Sequence, residues 1–362
     1  MFKYVHLFLM NEKKFSIPLI EFINSSDELK PDNHIYVTPF EEVYNEISDY
    51  DNTLLFDEID YRTAKYVNYW GDRSEWIFVH HLPSPIEAIR IRRSVAQKII
   101  WRTWGGDTGY NQIDSFSIKN IIKRMVNHLF RSKVSQFKVI GIANYVDVVD
   151  LKRWYPNSKF FLMPYGLFTS FSSFLSSYNV NGTDITRNVM VGHSGFSEDN
   201  HIAMVDLICS IKGWDLCNYF FILSYGEPEY IEKVKEYAIS KLGDRCNIID
   251  YFMEEYDYYV FLSKMDVAIF DGLISYALGN IEPLLAMHKK IVLNENGILK
   301  EAFDNKSIPY ETTQTISGSC LESFMKPLDY SNSDISGMIP MTIKESTEAW
   351  MDVLEYLDSK VD

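Results

Sequence analysis

Cysteine is scarce in this sequence: the 362 residues include four, and none belongs to a CxxC pair or lies near histidines at metal-binding spacing. This excludes a disulfide-stapled scaffold and a zinc ribbon, and it predicts reduced thiols. Long apolar runs are also missing, because no stretch approaches the ~18 residues that a membrane-spanning helix needs. The N-terminal apolar stretch lacks a small-residue cleavage site, so we interpret it as a first strand. We expect a cytoplasmic chain that is soluble or peripheral to a membrane.

Positive charge is outnumbered as well, with 35 Lys and Arg against 50 Asp and Glu and a net charge of −15. That balance excludes a general nucleic-acid-binding role, which needs a basic surface. The cations are nevertheless concentrated, because residues 88–138 contain eleven Lys and Arg and two Asp. Segregated charge of this kind indicates an anionic partner such as a membrane surface. The candidate membrane-facing residues of this window are Arg90, Arg92, Arg93, Lys119, Lys123 and Arg124.

Within this basic window, residues 115–137 have the apolar spacing of an amphipathic helix. Two interpretations remain open. The helix is either an interfacial helix attracted to anionic lipid or to a diphosphate-linked acceptor, or an ordinary helix whose apolar face packs in the core. The apolar stripe consists of Ile118, Ile121, Ile122, Met125, Val126, Leu129 and Phe130.

Short apolar runs alternate with helical patterns along the chain, and this alternation predicts a parallel α/β architecture. A stretch rich in Ser, Asn, Gly and Thr at 170–187 is interpreted as an interdomain linker. We expect an N-terminal domain over 1–175, a C-terminal domain over 185–341, and a last helix in 342–362 that packs back on the first domain. The predicted strands are Tyr4–Leu9, His34–Val37, Thr53–Phe56, Trp76–His80, Ile99–Thr103, Phe137–Gly141, Lys159–Met163, Val189–Gly192, Tyr219–Leu223, Cys246–Ile249, Val267–Phe270 and Lys290–Leu293.

The first motif with chemical potential is Trp-Gly-Gly-Asp at 104–107. It lies at the carboxyl end of a predicted strand, which is the edge where open α/β sheets bind ligands. The two glycines permit a tight turn or a close approach of the backbone to a ligand. Asp107 is then a candidate general base or a partner for a sugar hydroxyl. The alternative is a Gly-Gly turn in which Asp107 caps a helix.

Two further loops have the composition of phosphate sites. Gly-His-Ser-Gly at 192–195 follows a predicted strand and precedes a helix that begins near Asp199, an arrangement that binds phosphate through backbone N–H groups. Gly-Asn at 279–280 precedes an apolar helix whose free N–H groups suit a diphosphate. Neither loop is a Walker or a GxGxxG motif, and either can be a helix cap without a ligand.

Weaker candidates are the histidine pair and the carboxylates outside these motifs. His80 and His81 end a predicted strand, so one of them is expected at the sheet edge unless it is a structural histidine. Asp49 and Asp51 form a DxD sequence, a spacing that binds divalent metal ions in other proteins, but they lie among many acids. We expect neither a metal ion nor a cofactor.

Taken in order, the motifs resemble the bacterial TDP-4-acetamido-4,6-dideoxygalactose (TDP-Fuc4NAc) transferase family, also called the 4-alpha-L-fucosyltransferase family. The family's Trp-Gly-small-Asp motif matches 104–107, and its Gly-Asn-Ser-Gly loop matches 192–195 with His193 in place of the usual Asn. Segments 223–234, 256–266 and 277–294 are similar to its later loops, helices and strands, with Tyr276 where Gln is common. The resemblance runs from about Trp76 to Tyr310.

This resemblance implies a GT-B fold, in which two Rossmann-like domains face a central cleft. It implies a glycosyltransferase that moves a sugar such as Fuc4NAc from a TDP-linked donor to a polyprenyl-diphosphate-linked glycan at the inner face of the bacterial inner membrane. The product would belong to a surface polysaccharide such as O-antigen or enterobacterial common antigen, and the reaction would need no metal ion. The alternatives are a nucleotide-sugar epimerase or hydrolase on the same fold, or a non-catalytic module that binds sugar nucleotides.

The same resemblance assigns roles to residues. Asp107 is the expected general base, with His81 or His80 as the alternative, and the acceptor-side loop comprises His80, Trp104, Gly105 and Gly106. Backbone N–H groups around Ser194, Gly195 and Asn280 are expected to stabilise the leaving diphosphate. The predicted donor-binding residues are Gly192, His193, Ser194, Gly195, His201, Tyr225, Gly226, Tyr259, Tyr276, Gly279 and Asn280.

Overall fold

The alternating apolar runs and helical patterns fold into two α/β units in the computed structural model. The structure describes residues 1–11, 13–103, 118–165, 169–178, 186–273 and 277–360. One unit comprises Met1–Leu167 together with Met341–Asp362, and the other comprises Phe168–Pro340. Each unit has a parallel sheet of its own, packed with helices.

The central strands of the first unit's sheet are buried on both faces. Along its first strand, Val5 and Leu7 belong to one apolar layer, and Tyr4 and Phe8 belong to the other. Such burial explains why these strands appear in the sequence as nearly continuous apolar runs. The order is β3-β2-β1-β4-β5-β6-β7, with β1 (Phe2–Phe8), β2 (His34–Thr38), β3 (Thr53–Leu55), β4 (Ser74–His80), β5 (Ile99–Arg102), β6 (Val139–Ile142) and β7 (Phe160–Leu162). The helices between these strands are α1 (Lys13–Asn24), α2 (Glu41–Ile47), α3 (Ala64–Gly71), α4 (Pro85–Ile89), α5 (Arg93–Ala96), α6 (Ile118–Val134) and α7 (Tyr145–Trp154).

The second unit repeats this doubly wound pattern with six parallel strands. Its order is β10-β9-β8-β11-β12-β13. The strands from β8 to β10 therefore follow one another toward one edge of the sheet and those from β11 to β13 toward the other, and the order switches between β8 and β11. Ligands in open α/β sheets bind at such a switch point, outside the carboxyl ends of the strands. The strands are β8 (Asn188–Val191), β9 (Asn218–Ile222), β10 (Cys246–Ile249), β11 (Val267–Phe270), β12 (Lys290–Leu293) and β13 (Glu311–Thr312).

The helices of the second unit include one in the segment that the sequence analysis interpreted as a linker. That interpretation is wrong for 169–177, which is helical, because Phe171 and Phe174 are buried against Tyr259. The helices are α8 (Thr169–Ser177), α9 (His201–Ser210), α10 (Pro228–Leu242), α11 (Glu255–Ser263), α12 (Leu278–Ala286), α13 (Ile298–Asn305), α14 (Thr313–Ile316) and α15 (Leu321–Met325).

The last helix, α16 (Ile343–Asp358), belongs to the first unit. A capping box starts it: the Thr342 hydroxyl accepts from the Glu345 N–H at 3.2 Å, and the Glu345 carboxylate accepts from the Thr342 N–H at 2.7 Å. Trp350 is fully buried, and its indole N–H donates to the Pro164 carbonyl at 2.8 Å. Of the helices in the described ranges, none combines the length and the apolar character that crossing a membrane requires.

Candidate functional site

The loop after β8 begins with a closely packed glycine that has a positive φ. Gly192 has a φ of +68°, and a Cβ placed on it would lie 2.2 Å from the His201 Nε2 atom. His201 is fully buried beneath this glycine, and both of its ring nitrogens lack a hydrogen-bond partner in the described structure. Burial lowers the pKa of His201 to about 4, so the ring is neutral. His201, predicted as a donor-binding residue, therefore supports the loop from within.

Asp199 folds back onto the same loop and occupies its hydrogen-bond donors. One carboxylate oxygen accepts from the Ser194 N–H at 3.0 Å and from the Ser194 hydroxyl at 2.8 Å. The other accepts from the His193 Nδ1–H at 2.9 Å. Burial by itself raises the pKa of Asp199, but the hydrogen bonds that its carboxylate accepts from His193 and Ser194 outweigh it and hold that pKa below its usual range. The loop thus contains a fixed, ionised carboxylate.

In this structure, the backbone N–H groups of the three residues around which a diphosphate site was predicted donate to other protein groups, and diphosphate binding there stays a prediction. The Ser194 N–H donates to Asp199, and the Gly195 N–H donates to the Tyr225 carbonyl at 2.6 Å. The Asn280 N–H donates to the Ala277 carbonyl at 2.9 Å. The physical reason is that an internal carboxylate and neighbouring carbonyls satisfy these buried donors in the structure.

A cavity of about 370 Å³ opens at the carboxyl ends of β8, β9 and β10. The Tyr258 hydroxyl donates to the Asn280 side-chain oxygen, which leaves the Asn280 amide N–H₂ without a partner among the described residues. Burial raises the pKa of Tyr258 far above neutrality, so its hydroxyl remains a donor. The His193 Nε2 atom also has no hydrogen bond there. The lining comprises His193, Ile222, Ser224, Tyr225, Ile249, Tyr251, Phe252, Met253, Glu255, Tyr258, Gly279 and Asn280.

Aromatic rings surround the mouth of this cavity. Phe252 is 78% exposed, and its ring lies nearly parallel to that of Tyr225, with centroids 6.2 Å apart. Phe196 approaches Tyr225 edge-on at 6.1 Å. Exposed parallel rings beside a polar cavity suit a planar group such as a nucleobase. Tyr259, predicted as a donor-binding residue, is buried, and its hydroxyl donates to Glu255 at 2.6 Å.

The close approach of two loops explains a second predicted glycine. Gly226 has a φ of +140°, and a Cβ there would lie 2.2 Å from the Gly195 carbonyl carbon. The Gly195 carbonyl in turn accepts from the Glu227 N–H at 3.0 Å. The loop after β8 is thereby held against the loop after β9.

The sequence analysis missed a polar cluster at the ends of β11 and β12. Asp271 accepts from the side chains of Asn200 at 2.6 Å, Asn294 at 2.9 Å and Thr313 at 3.3 Å. Burial raises the pKa of Asp271 in spite of these donors. No motif marked these residues, because they come from four separate segments that meet only in the folded sheet.

The first unit separates the two candidate histidines. His80 is buried in a chain of hydrogen bonds that runs from Tyr165 through His80, His6 and His34 to the Leu29 carbonyl, at 3.3, 3.1, 2.8 and 3.0 Å. Because a carbonyl only accepts, the His34 Nε2 carries a proton, and each neutral ring before it must also donate from Nε2. Burial lowers the pKa values of all three histidines, that of His34 to about 4.

His81 instead lies at the carboxyl edge of β4, partly exposed, with a φ of +70°. Left-handed backbone is uncommon for a histidine and costs free energy, and such residues are concentrated at functional sites. Of the two candidates, His81 therefore has the accessible side chain. Trp104, Gly105, Gly106, Asp107 and Tyr276 lie outside the described residues, as does the side chain of Lys119.

The basic window forms two kinds of surface. Arg90 pairs with Glu87, and Arg92 pairs with Asp72, whereas Arg93, Lys123 and Arg124 are exposed. On α6, Phe130 is buried, but other members of the predicted apolar stripe face outward. Their exposed fractions are 61% for Ile122, 63% for Met125 and 52% for Leu129.

The described residues include no group of three His, Cys, Asp or Glu side chains that is placed to hold a metal ion. That the reaction needs no metal ion stays a prediction.

The sequence matches no protein-family model and no curated protein sequence. Solved structures are similar over almost the full length. A glycosyltransferase from Rickettsia africae superposes with a TM-score of 0.58 at 12% identity, covering 98% of this chain and 99% of that one. The chain has the GT-B fold. HepE from Anabaena in complex with UDP superposes with a TM-score of 0.58 at 9% identity, covering 99% of this chain and 100% of that one. A putative UDP-N-acetylglucosamine 2-epimerase from Listeria monocytogenes superposes with a TM-score of 0.54 at 10% identity. The match covers 100% of this chain and 98% of that one.

Proposed function

We propose that this protein is a glycosyltransferase that binds a nucleoside-diphosphate sugar in the cavity of its second unit and transfers the sugar to a hydroxyl of a lipid-linked oligosaccharide. The observation that carries the proposal is the cavity itself. It lies at the carboxyl ends of β8, β9 and β10 and combines unpartnered polar groups with exposed aromatic rings. Diphosphate, ribose and base need such a combination of donors and stacking surface.

Within the proposed site, the donor diphosphate lies at the start of α12. That helix has nine residues, and Gly279 and Asn280 of its first turn line the cavity. The positive end of the helix dipole and the Asn280 amide N–H₂ favour an anion there. Tyr225 and Phe252 provide the surface for the base. The resemblance suggests a TDP-linked donor sugar such as Fuc4NAc.

On the acceptor side, we propose Asp107 as the general base, with His81 as the alternative. His81 is partly exposed at the carboxyl edge of the first sheet, and its side chain has no hydrogen-bond partner among the described residues. A neutral imidazole there is able to take the proton of an attacking hydroxyl. His80, by contrast, is committed to the buried chain between Tyr165 and His6.

We further propose that α6 rests on an anionic membrane, where a polyprenyl-diphosphate-linked acceptor is available. Three large apolar side chains of this helix are exposed, namely Ile122, Met125 and Leu129, and Lys123 and Arg124 lie between them. This is the pattern of an interfacial amphipathic helix, in which apolar groups enter the lipid and cations meet phosphate groups. It favours the interfacial interpretation over a purely core-facing helix. The protein would thus work at the inner face of the bacterial inner membrane.

The test combines binding with turnover. UDP, TDP and GDP sugars are first screened for stabilisation of the full chain, because a ligand that binds only the native state raises the melting temperature. Nucleotide sugars that stabilise the chain are then incubated with and without a bacterial lipid-linked glycan extract, and free nucleotide and glycolipid products are measured. Sugar appearing on lipid supports the transferase. Conversion of the donor without lipid supports the epimerase or hydrolase, and stabilisation with no conversion supports a binding module.

A further inference from the structure

We propose that His193 binds the donor diphosphate as an imidazolium, donating a hydrogen bond from Nε2, so that binding of the nucleotide sugar takes up one proton. This inference rests on the proposed function and specifies the electrostatics of the same site. Asp199 is the positioning residue, because it acts on the ligand only through the orientation and charge of His193.

The geometry fixes which ring nitrogen faces the ligand. The Asp199 carboxylate oxygen 2.9 Å from Nδ1 can only accept, so Nδ1 carries a proton in both charge states of His193. The other nitrogen, Nε2, makes no hydrogen bond to the described residues, and His193 lines the cavity. In neutral His193, Nε2 therefore presents a lone pair to the cavity, which repels phosphate oxygens. After protonation it presents an N–H, which binds them.

The composition of the cavity makes that proton necessary. Its described lining contains no Lys and no Arg, and it contains a second carboxyl group, Glu255. A nucleoside-diphosphate sugar brings two negative charges. His193 is thus the lining side chain that is able to become positive near neutral pH. The predicted backbone donors cannot take its place, because the Ser194 N–H already donates to Asp199 and the Gly195 N–H to the Tyr225 carbonyl.

The groups around His193 support its protonation when the ligand arrives. Asp199 is ionised and in contact with the ring. His201, from α9, is neutral because burial lowers its pKa to about 4, so it adds no competing positive charge. Burial also raises the pKa values of Tyr225 and Tyr258, so both hydroxyls stay neutral, and Glu255 of α11 accepts from Tyr259. The proton enters from solvent with the ligand and leaves when the ligand dissociates, and no covalent bond changes.

Calorimetric titration of the full chain with UDP-glucose and with TDP-glucose tests this inference. These probes are suitable because a diphosphate esterified at both ends has no group that titrates near neutral pH. Each titration is run at several pH values, and near pH 7 in buffers of different ionisation enthalpy, which reports protons taken up. For the wild type we expect an uptake that approaches one proton, and a Kd that rises with pH by up to about tenfold per pH unit.

His193→Gln keeps a neutral donor at this position but cannot gain a charge. We expect it to fold, to bind more weakly, and to show no proton uptake and a flat Kd against pH. His128→Gln, a change at an exposed histidine of α6, is the matched control and should behave as the wild type. Asp199→Asn removes the fixed charge, so the rise in Kd should begin at a lower pH, an effect that a merely structural role would not produce.

Two results overturn the inference while the proposed function stands. They are wild-type binding without proton uptake, and a His193→Gln variant with the same uptake as the wild type. If neither probe binds the wild type at any pH, and the screen of nucleotide sugars is also negative, the proposed function fails and this inference fails with it.

Discussion

At the scale of single residues, the loop after β8 depends on close packing between two glycines. A Cβ on Gly226 would lie 2.2 Å from the backbone of Gly195, and rigid backbone cannot move aside as a flexible side chain can. We predict that Gly226→Ala lowers the free energy of unfolding by about 1–3 kcal/mol, through strain at a special backbone position. Urea denaturation of the full chain measures this loss.

The matched control is Gly318→Ala. Gly318 also has a positive φ, +68°, but a Cβ there would meet no atom within 4 Å. Its cost is therefore limited to the positive φ, about 1 kcal/mol. Equal losses of stability in the two variants would show that the contact between Gly195 and Gly226 contributes nothing.

Sequence reasoning reached some residues of the cavity and not others, for physical reasons. His193 and Asn280 were predicted because they belong to short runs with glycine beside a strand or helix end, and Tyr225 was predicted from the family resemblance of its segment. Tyr258 was not, because its role depends on a hydrogen bond to Asn280, 22 positions away. The role of Asp199 was also missed, since sequence spacing does not show that its carboxylate accepts hydrogen bonds from Ser194 and His193 of the same loop.

At the scale of elements, the apolar periodicity of α6 predicted a helix correctly, but it did not decide whether the apolar face packs in the core or faces outward. The spacing predicted the amphipathic helix, but the apolar stripe is broad and only part of it is buried. Phe130 and Val134 pack in the core, whereas Met125 and Leu129 are exposed. Periodicity alone could not show which apolar side chains of α6 are buried and which are exposed. That depends on which neighbouring elements cover the helix.

We predict that a combined Met125→Glu and Leu129→Glu variant loses binding to vesicles that contain phosphatidylglycerol. Both side chains are more than half exposed, so folding should be little affected. Inserting each apolar side chain into lipid is worth about 1.5–3 kcal/mol, so the bound fraction should fall at least tenfold in vesicle co-sedimentation. Ile239→Glu, at an exposed position of α10, is the control and should leave binding unchanged. Equal binding by all three proteins would contradict a membrane role for α6.

The strands were the most predictable elements, because burial on both faces leaves a nearly continuous apolar run, and β1 to β12 have three to seven residues each. The predicted Cys246–Ile249, Val267–Phe270 and Lys290–Leu293 coincide with β10, β11 and β12. The two-residue strand β13 was missed, since its sequence, Glu-Thr, carries no apolar signal. The helix α8 was missed because serines outnumber its apolar residues, although Phe171 and Phe174 anchor it.

At the scale of the whole molecule, the fold class was confirmed, since strand and helix alternation is enough to predict parallel α/β architecture. The chain of buried histidines was not foreseen, because His6, His34 and His80 come from three different strands. Their neutral state has a consequence for stability. Each has a folded-state pKa below its unfolded value of about 6.5, so its contribution is complete above that pH and is lost as the pH falls towards 4.

We therefore predict that His34→Gln destabilises the chain most at neutral pH. Because the variant has one fewer histidine that protonates on unfolding, its deficit in unfolding free energy should narrow by up to about 1.4 kcal/mol per pH unit between pH 6.5 and 4. Denaturation curves at several pH values measure this difference, in which the protonation of carboxylates common to both proteins cancels. A deficit that stays constant with pH would mean that His34 does not titrate as inferred.

The most direct test of a diphosphate at the start of α12 is the affinity of the Asn280→Asp variant for UDP and TDP. The substitution changes one atom and places a negative charge on the cavity wall. A carboxylate at a helix N-terminus is favourable for the helix, so the fold should persist. We predict that titration calorimetry shows a loss of at least about tenfold in affinity, near 1.4 kcal/mol, with unchanged melting temperature. Asn45→Asp, the same change at an exposed position of α2, should bind as the wild type. Wild-type affinity in a folded Asn280→Asp protein would contradict the proposed site.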